Sequence, residues 1–133
     1  VIKLRLSLPC PVNRRFIPIT FTKKLKSGKK FTGAVQALSK EYRQKQMRLV
    51  AEVWKALGGR PEAIPGPVQV FMVMTPRDKR TADCDAYFKA VLDGLVKANV
   101  LKDDKQVVQC SNERLPNPQH PGFIDLEVHE VPV

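Results

Sequence analysis

Cysteine and histidine are scarce: Cys10, Cys84, Cys110, His120 and His129 are all there is. Their spacing matches no zinc pattern, and an odd, sparse cysteine set does not build a disulfide framework. That points to a reducing, cytoplasmic compartment. No stretch approaches the roughly 18–20 consecutive apolar residues of a membrane span, and no apolar segment follows a basic start as in a secretory signal. Acidic residues are missing from the beginning of the chain, the first being Glu41. A Gly-rich, phosphate-cradling loop is absent, and no Ser or Cys has a base nearby that would make it a nucleophile. Hydrophobic residues at 43% and charged residues at 27% are ordinary globular values, which excludes wholesale disorder. A chain of 133 residues fits one domain, here 1–133. It hides roughly two-thirds of the surface its unfolded form exposes.

What the sequence has in excess is positive charge. Lys and Arg number 23 against 13 Asp and Glu, for a net +10. Residues 1–66 carry 15 basic and 3 acidic side chains, and residues 67–133 carry 8 and 10. Nucleic acid is the commonest polyanion that such a surface binds; a solvated basic face is the alternative. A basic membrane-surface helix does not fit, because Pro18 and Gly28 interrupt the basic run.

Ile2, Leu4, Leu6 and Leu8 alternate with polar residues, which predicts a half-buried strand ended by Pro9 and Pro11. Phe16 to Phe21 reads as a short strand that Pro18 confines to an edge. Five lysines between Lys23 and Lys30 surround Ser27-Gly28, as in a loop or hairpin tip. Apolar spacing from Val35 to Leu57 predicts a helix with one buried stripe that includes Trp54, stopped by Gly58-Gly59. Pro61 to Pro67 is a short linker. Val68 to Met74 predicts a central strand covered on both faces. A charged loop, Pro76 to Ala82, leads to a second helix over about 85–98, with Asn99 as a left-handed stop. A strand starts at Val107, a Pro-rich turn spans Asn117 to Gly122, and Ile124, Leu126 and Val128 alternate in a last strand. The expected fold is a small α/β (α+β) domain with a mixed β-sheet and two main helices, in the order β-α-β-α-β-β.

Asp83 and Asp85 stand between a central strand and a helix start. In extended backbone, residues two apart point the same way, roughly 6–7 Å apart. Like charges that close repel unless a cation or solvent intervenes. A helix cap is the competing explanation, although one aspartate suffices for a cap. Lys89 lies four residues after Asp85, and Asp93 four further on; this is either a functional stripe or a surface salt-bridge ladder. Asp103-Asp104 is a third acidic point. Three carboxylates without His or Cys form an oxygen-only site, which suits Mg²⁺ or Mn²⁺. Beside a lysine on a basic protein, such a site suits phosphodiester hydrolysis. Cys84 is expected to face the interior, His120 to be solvated in its loop, and His129 to lie on the polar face of the last strand.

The run from Arg80 to Leu95, then Leu101 to Val108, resembles the RusA family of Holliday junction resolvases, common in bacterial prophages. The family pattern D-x-D-N-x-x-K-x-x-x-D-x-L followed by D-D-x-Q-V is matched from Asp83 to Val108, with Ala86 in place of Asn. Leu8 to Asn13 is similar to the family's opening L-P-x-P-x-N. The resemblance implies a small mixed α/β homodimer that cuts four-way junctions symmetrically with Mg²⁺, Mn²⁺ substituting. It implies Asp83, Asp85 and Asp104 as metal ligands and catalytic residues, Lys89 as the catalytic lysine, and Asp93 in a supporting role. Asn13, Arg14, Arg15, Lys29, Lys30, Arg77, Lys79 and Arg80 are the expected DNA contacts. Two alternatives remain at this level: a non-catalytic basic nucleic-acid-binding module, and a metal nuclease acting on another branched DNA.

Overall fold

The computed structural model describes residues 1–11, 16–79 and 85–132. Strand β1 is Ile2–Ser7, β2 Phe16–Lys24, β3 Lys30–Leu38, β4 Val68–Thr75, β5 Val107–Arg114 and β6 Phe123–Glu130. Helix α1 is Lys40–Leu57 and α2 is Phe88–Lys97. The fold is α+β, with two helices against a mixed four-stranded sheet in the order β1-β6-β4-β5. β6 runs antiparallel to β1 and β4, and β5 runs parallel to β4. β2 and β3 form a separate antiparallel hairpin, paired from Phe16–Leu38 to Lys24–Lys30.

The hairpin adds two strands before the first helix, and the rest of the expected order holds. Val35 to Leu38 belongs to β3 rather than to the first helix. The helix begins only after Ser39, whose extended backbone (φ −64°, ψ 151°) and side chain cap it by accepting from Tyr42 N–H. Val35 and Leu38 fall at helical distance from Tyr42 by coincidence of spacing. The end of α1 is as expected: Gly58 takes a left-handed φ of 79°. Pro18 is tolerated because both strands of a two-stranded ribbon are edges.

Both helices bring their apolar stripes to one face of the sheet. Leu49 and Val53 of α1 meet Val91, Leu92 and Leu95 of α2 over Leu4, Leu6, Val70, Met72, Ile124 and Leu126. Trp54 packs on this core, and its indole N–H donates to Ala98 O at 2.8 Å. Gly94 lets the helices approach: a Cβ there would collide with the Leu49 side chain and sit 3.1 Å from Gln46 Oε1. Helix α2 starts at Phe88, three residues later than predicted, and Asn99 turns the chain away at φ 63°. β4 is central but not covered on both faces. Val68, Val70, Met72 and Met74 are buried, whereas Gln69, Phe71 and Val73 are half-exposed on the helix-free side. On that side Arg5 pairs with Asp125 at 2.8 Å and Lys3 with Glu127 at 3.4 Å. His129 is half-buried on that same face, edge-on to Phe71.

Candidate active site

Helix α2 and the turn after it carry the site. α2 follows β4 in the chain, and the turn after it leads into β5, whose first residue Val107 pairs with Val68 at the start of β4. The segment 101–106 is anchored from several sides. Asp103 caps the 3-10 turn Asp104–Gln106, its carboxylate accepting from Lys105 N–H at 3.0 Å. Gln106 Oε1 accepts from the N–H groups of Lys102 and Asp103 at 2.6 and 3.0 Å. Its amide nitrogen donates to Ile64 O and Gly66 O at 2.6 and 2.8 Å. Gln106 thus ties the turn to the segment before β4, and Asp103 is occupied as a cap. Asp104 is left to face α2.

There it meets Lys89, whose Nζ lies 3.1 Å from Asp104 Oδ2 and 3.3 Å from Asp93 Oδ1. Asp104 raises the Lys89 pKa most, through a hydrogen bond; desolvation opposes this and Asp93 adds to it. Lys89 is therefore a firm ammonium at neutral pH. The Asp104 carboxyl is held below the usual carboxylate range by its hydrogen-bonding contact with the Asp103 carboxyl, and next by Lys89. Asp93 is largely buried, its side chain 19% exposed, and accepts from Tyr42 O–H at 2.7 Å. It is no member of a solvated surface ladder. Beside it an open cleft of about 430 Å³ is lined by Tyr42, Lys97, Lys102, Asp103 and Asp104 among others.

Asp85 occupies a turn just before α2 and is exposed. Its backbone carbonyl accepts from Phe88 N–H at 3.1 Å. Its carboxylate is not at the cap position, which is Tyr87, and α2 has no side-chain cap bond there. Nor does Asp85 pair with Lys89, whose carboxylate partners are Asp93 and Asp104. This corrects the expected Asp85–Lys89 stripe; Asp85 precedes the helix instead of lying on its face.

Asp83 and Cys84 lie outside the described residues, as do Asn13, Arg14, Arg15 and Arg80. Among the described residues no three acidic, His or Cys side chains converge as a metal site. Asp85 and Asp104 nevertheless fit a hard cation in kind. Both are carboxylates, one exposed and uncommitted as a cap, the other kept ionised. Lys29 and Lys30 are exposed where the hairpin turns, with Lys23, Lys24 and Lys26 around them. Arg77 and Lys79 are exposed in the loop after β4, Arg77 3.6 Å from Asp78. Cys10 is buried and Cys110 exposed, both as free thiols.

Sequence reasoning missed Tyr42, which falls in the apolar stripe of the first helix, and did not single out Gln46. The available signal was Gln46 itself, a polar residue four after Tyr42 on the buried face.

Among curated proteins none matches the chain. The family model described as Endodeoxyribonuclease RusA matches residues 18–124, from the hairpin through both helices and the Asp104 turn into β6. The opening Leu8 to Asn13 lies ahead of that span. With most of its length matched, the chain belongs to the RusA endodeoxyribonuclease family.

Proposed function

We propose that this protein is a Mg²⁺-dependent, structure-selective endodeoxyribonuclease that resolves Holliday junctions by paired symmetric incisions in recombination and repair. The observation that carries this reading is the grip of Lys89 on Asp104 across α2 and the following turn, with Asp85, which is not spent as a cap, at the entrance of the same helix. Acidic groups repel a DNA backbone, so their place on a chain of net +10 makes sense where a cation joins them. Asp83, Asp85 and Asp104 would hold Mg²⁺, with Mn²⁺ as a substitute. When bound, the metal supplies polarisation of the scissile phosphate and a lowered pKa for the attacking water.

The chain's own residues do the rest. Lys89, charged at neutral pH, offers its N–H donors to the phosphate oxygens as negative charge grows there. It does not act as a base, because Asp104 and Asp93 hold its proton. Arg77 and Lys79, with Asn13, Arg14, Arg15 and Arg80, bind the flanking backbone. Lys29, Lys30 and the other hairpin lysines bind a DNA arm away from the cut. A homodimer presents two such sites to the two strands of a four-way junction. It acts in the cytoplasm; no described helix is long and apolar enough to cross a membrane.

The test is cleavage of a labelled synthetic four-way junction beside a matched duplex, with Mg²⁺ or with EDTA. Paired nicks in the junction alone, lost in EDTA, are expected. Binding without any cut, over varied sequences and metals, would identify a binding module instead. Cutting of flaps or forks but not junctions would leave a nuclease with another substrate.

A further inference from the structure

We propose that Tyr42 and Gln46 of α1 are positioning residues that fix Lys89 through Asp93; the catalytic part of this role rests on the junction-cutting reading above. The geometry assigns each proton. Gln46 Nε2 lies 2.9 Å from Ala90 O, and a carbonyl only accepts, so the amide atom facing it is the nitrogen. That nitrogen is also 2.7 Å from the Tyr42 hydroxyl oxygen and gives it the second amide proton. The single Tyr42 proton then goes to Asp93 Oδ2, at 2.7 Å. The other oxygen of Asp93 takes Lys89 Nζ at 3.3 Å, and Lys89 reaches Asp104 Oδ2 at 3.1 Å. Donors run one way from Gln46 to Tyr42 to Asp93, and Lys89 donates back to that same carboxylate.

The burial of this network argues that it is there for more than packing. Tyr42 and Gln46 are each 2% exposed. Gln46 Oε1 is buried with no hydrogen-bond partner, a desolvation cost that an apolar residue in the α1 stripe would not carry. Gln46 also sits against Gly94, so its amide is held between the two helices. A lysine on a four-carbon stem is the most mobile member of such a site. Asp104 gives Lys89 a single contact, through Oδ2, on a carboxylate that the proposed function also gives to a cation. Asp93, oriented by Tyr42, keeps the ammonium in place.

The test compares wild type with Tyr42→Phe, which keeps the ring, and Gln46→Met, which keeps the unbranched shape. With junction saturating and Mg²⁺ present, Tyr42→Phe is expected to cut about tenfold to a hundredfold more slowly, the cost of a misplaced catalytic group. Junction affinity in EDTA should stay within about twofold. The second readout uses metal-free protein: the ¹⁵N-lysine ammonium signal of Lys89, identified by its loss in Lys89→Arg. A held ammonium exchanges slowly with water, so the signal should be sharp in wild type and broadened in both variants. An unchanged Lys89 signal and cut rate in Tyr42→Phe would overturn the proposal, as would a drop in melting temperature with no change in either. If wild type cuts no junction, the resolvase reading fails by itself, and the Lys89 signal still decides whether Tyr42 and Gln46 hold this lysine.

Discussion

At the scale of single residues, two adjacent aspartates in the family motif do different jobs. Asp103 caps the turn and Asp104 meets Lys89, although nothing in the dipeptide says which is which. Asp103→Ala should cost about 1 kcal/mol of stability, the typical loss of a capping side chain, read as a lowered melting temperature. Gln106 and Gly94 are likewise explained by structure: one clamps the turn, the other admits Leu49 between the helices. Gly94→Ala should destabilise by about 1–3 kcal/mol through overpacking, measured by denaturant unfolding. A third case is Glu127, whose pKa is lowered first by its hydrogen bond from His129 and then by Lys3. A carboxyl depressed in the folded state adds stability above its ordinary pKa of 4.5, and loses it as pH falls through the folded value. Glu127→Gln should therefore melt lower than wild type at neutral pH, and the gap should close on acidification. The offsets of Lys89 and Asp104 in a known pattern drew attention to the two side chains that meet here, whereas the expected Asp85–Lys89 stripe does not form. Tyr42 was not legible, since a tyrosine in an apolar stripe reads as core until its hydroxyl is seen to meet Asp93.

At the scale of elements, strands with strict alternation were legible, and of the ribbon the first strand and the turn were, but not the second strand. β1 and β6 show clean period two, and β4 is a short apolar run. The stretch from Phe16 to Leu38 lacks that signal: its middle is lysine, and its last residues mimic the helix that follows. Sheet order was also hidden, because β6 enters between β1 and β4 from the far end of the chain, a pairing no local pattern reports. The nine-residue strands of the ribbon give it a length of about 30 Å. It pairs with no strand of the main sheet, and its lysines sit at the turning end, an arrangement suited to gripping a duplex backbone. Replacing Lys23, Lys24, Lys26, Lys29 and Lys30 with alanine should weaken junction binding. It should also flatten the plot of log affinity against log salt by about 0.9 for each phosphate that is no longer neutralised. An unchanged slope would place the DNA elsewhere.

At the scale of the whole molecule, the charge asymmetry and the acidic site belong to one design. Basic residues concentrate in the hairpin, α1 and the loop after β4, while most acids lie in the second half, at the site and on the helix-free sheet face. A two-fold assembly should have twice the 15.0 kDa chain mass in light scattering and leave symmetric nicks across one junction. The most direct measurement is strand-resolved cleavage of a four-way junction by wild type, Asp104→Asn and Asp103→Asn, each at saturating protein in Mg²⁺. Asp104→Asn should bind the junction and make no cuts, while Asp103→Asn, which keeps an oxygen that can cap the turn, should still make both. Equal loss in the two variants, or cutting that survives Asp104→Asn, would contradict a site built on Lys89 and Asp104.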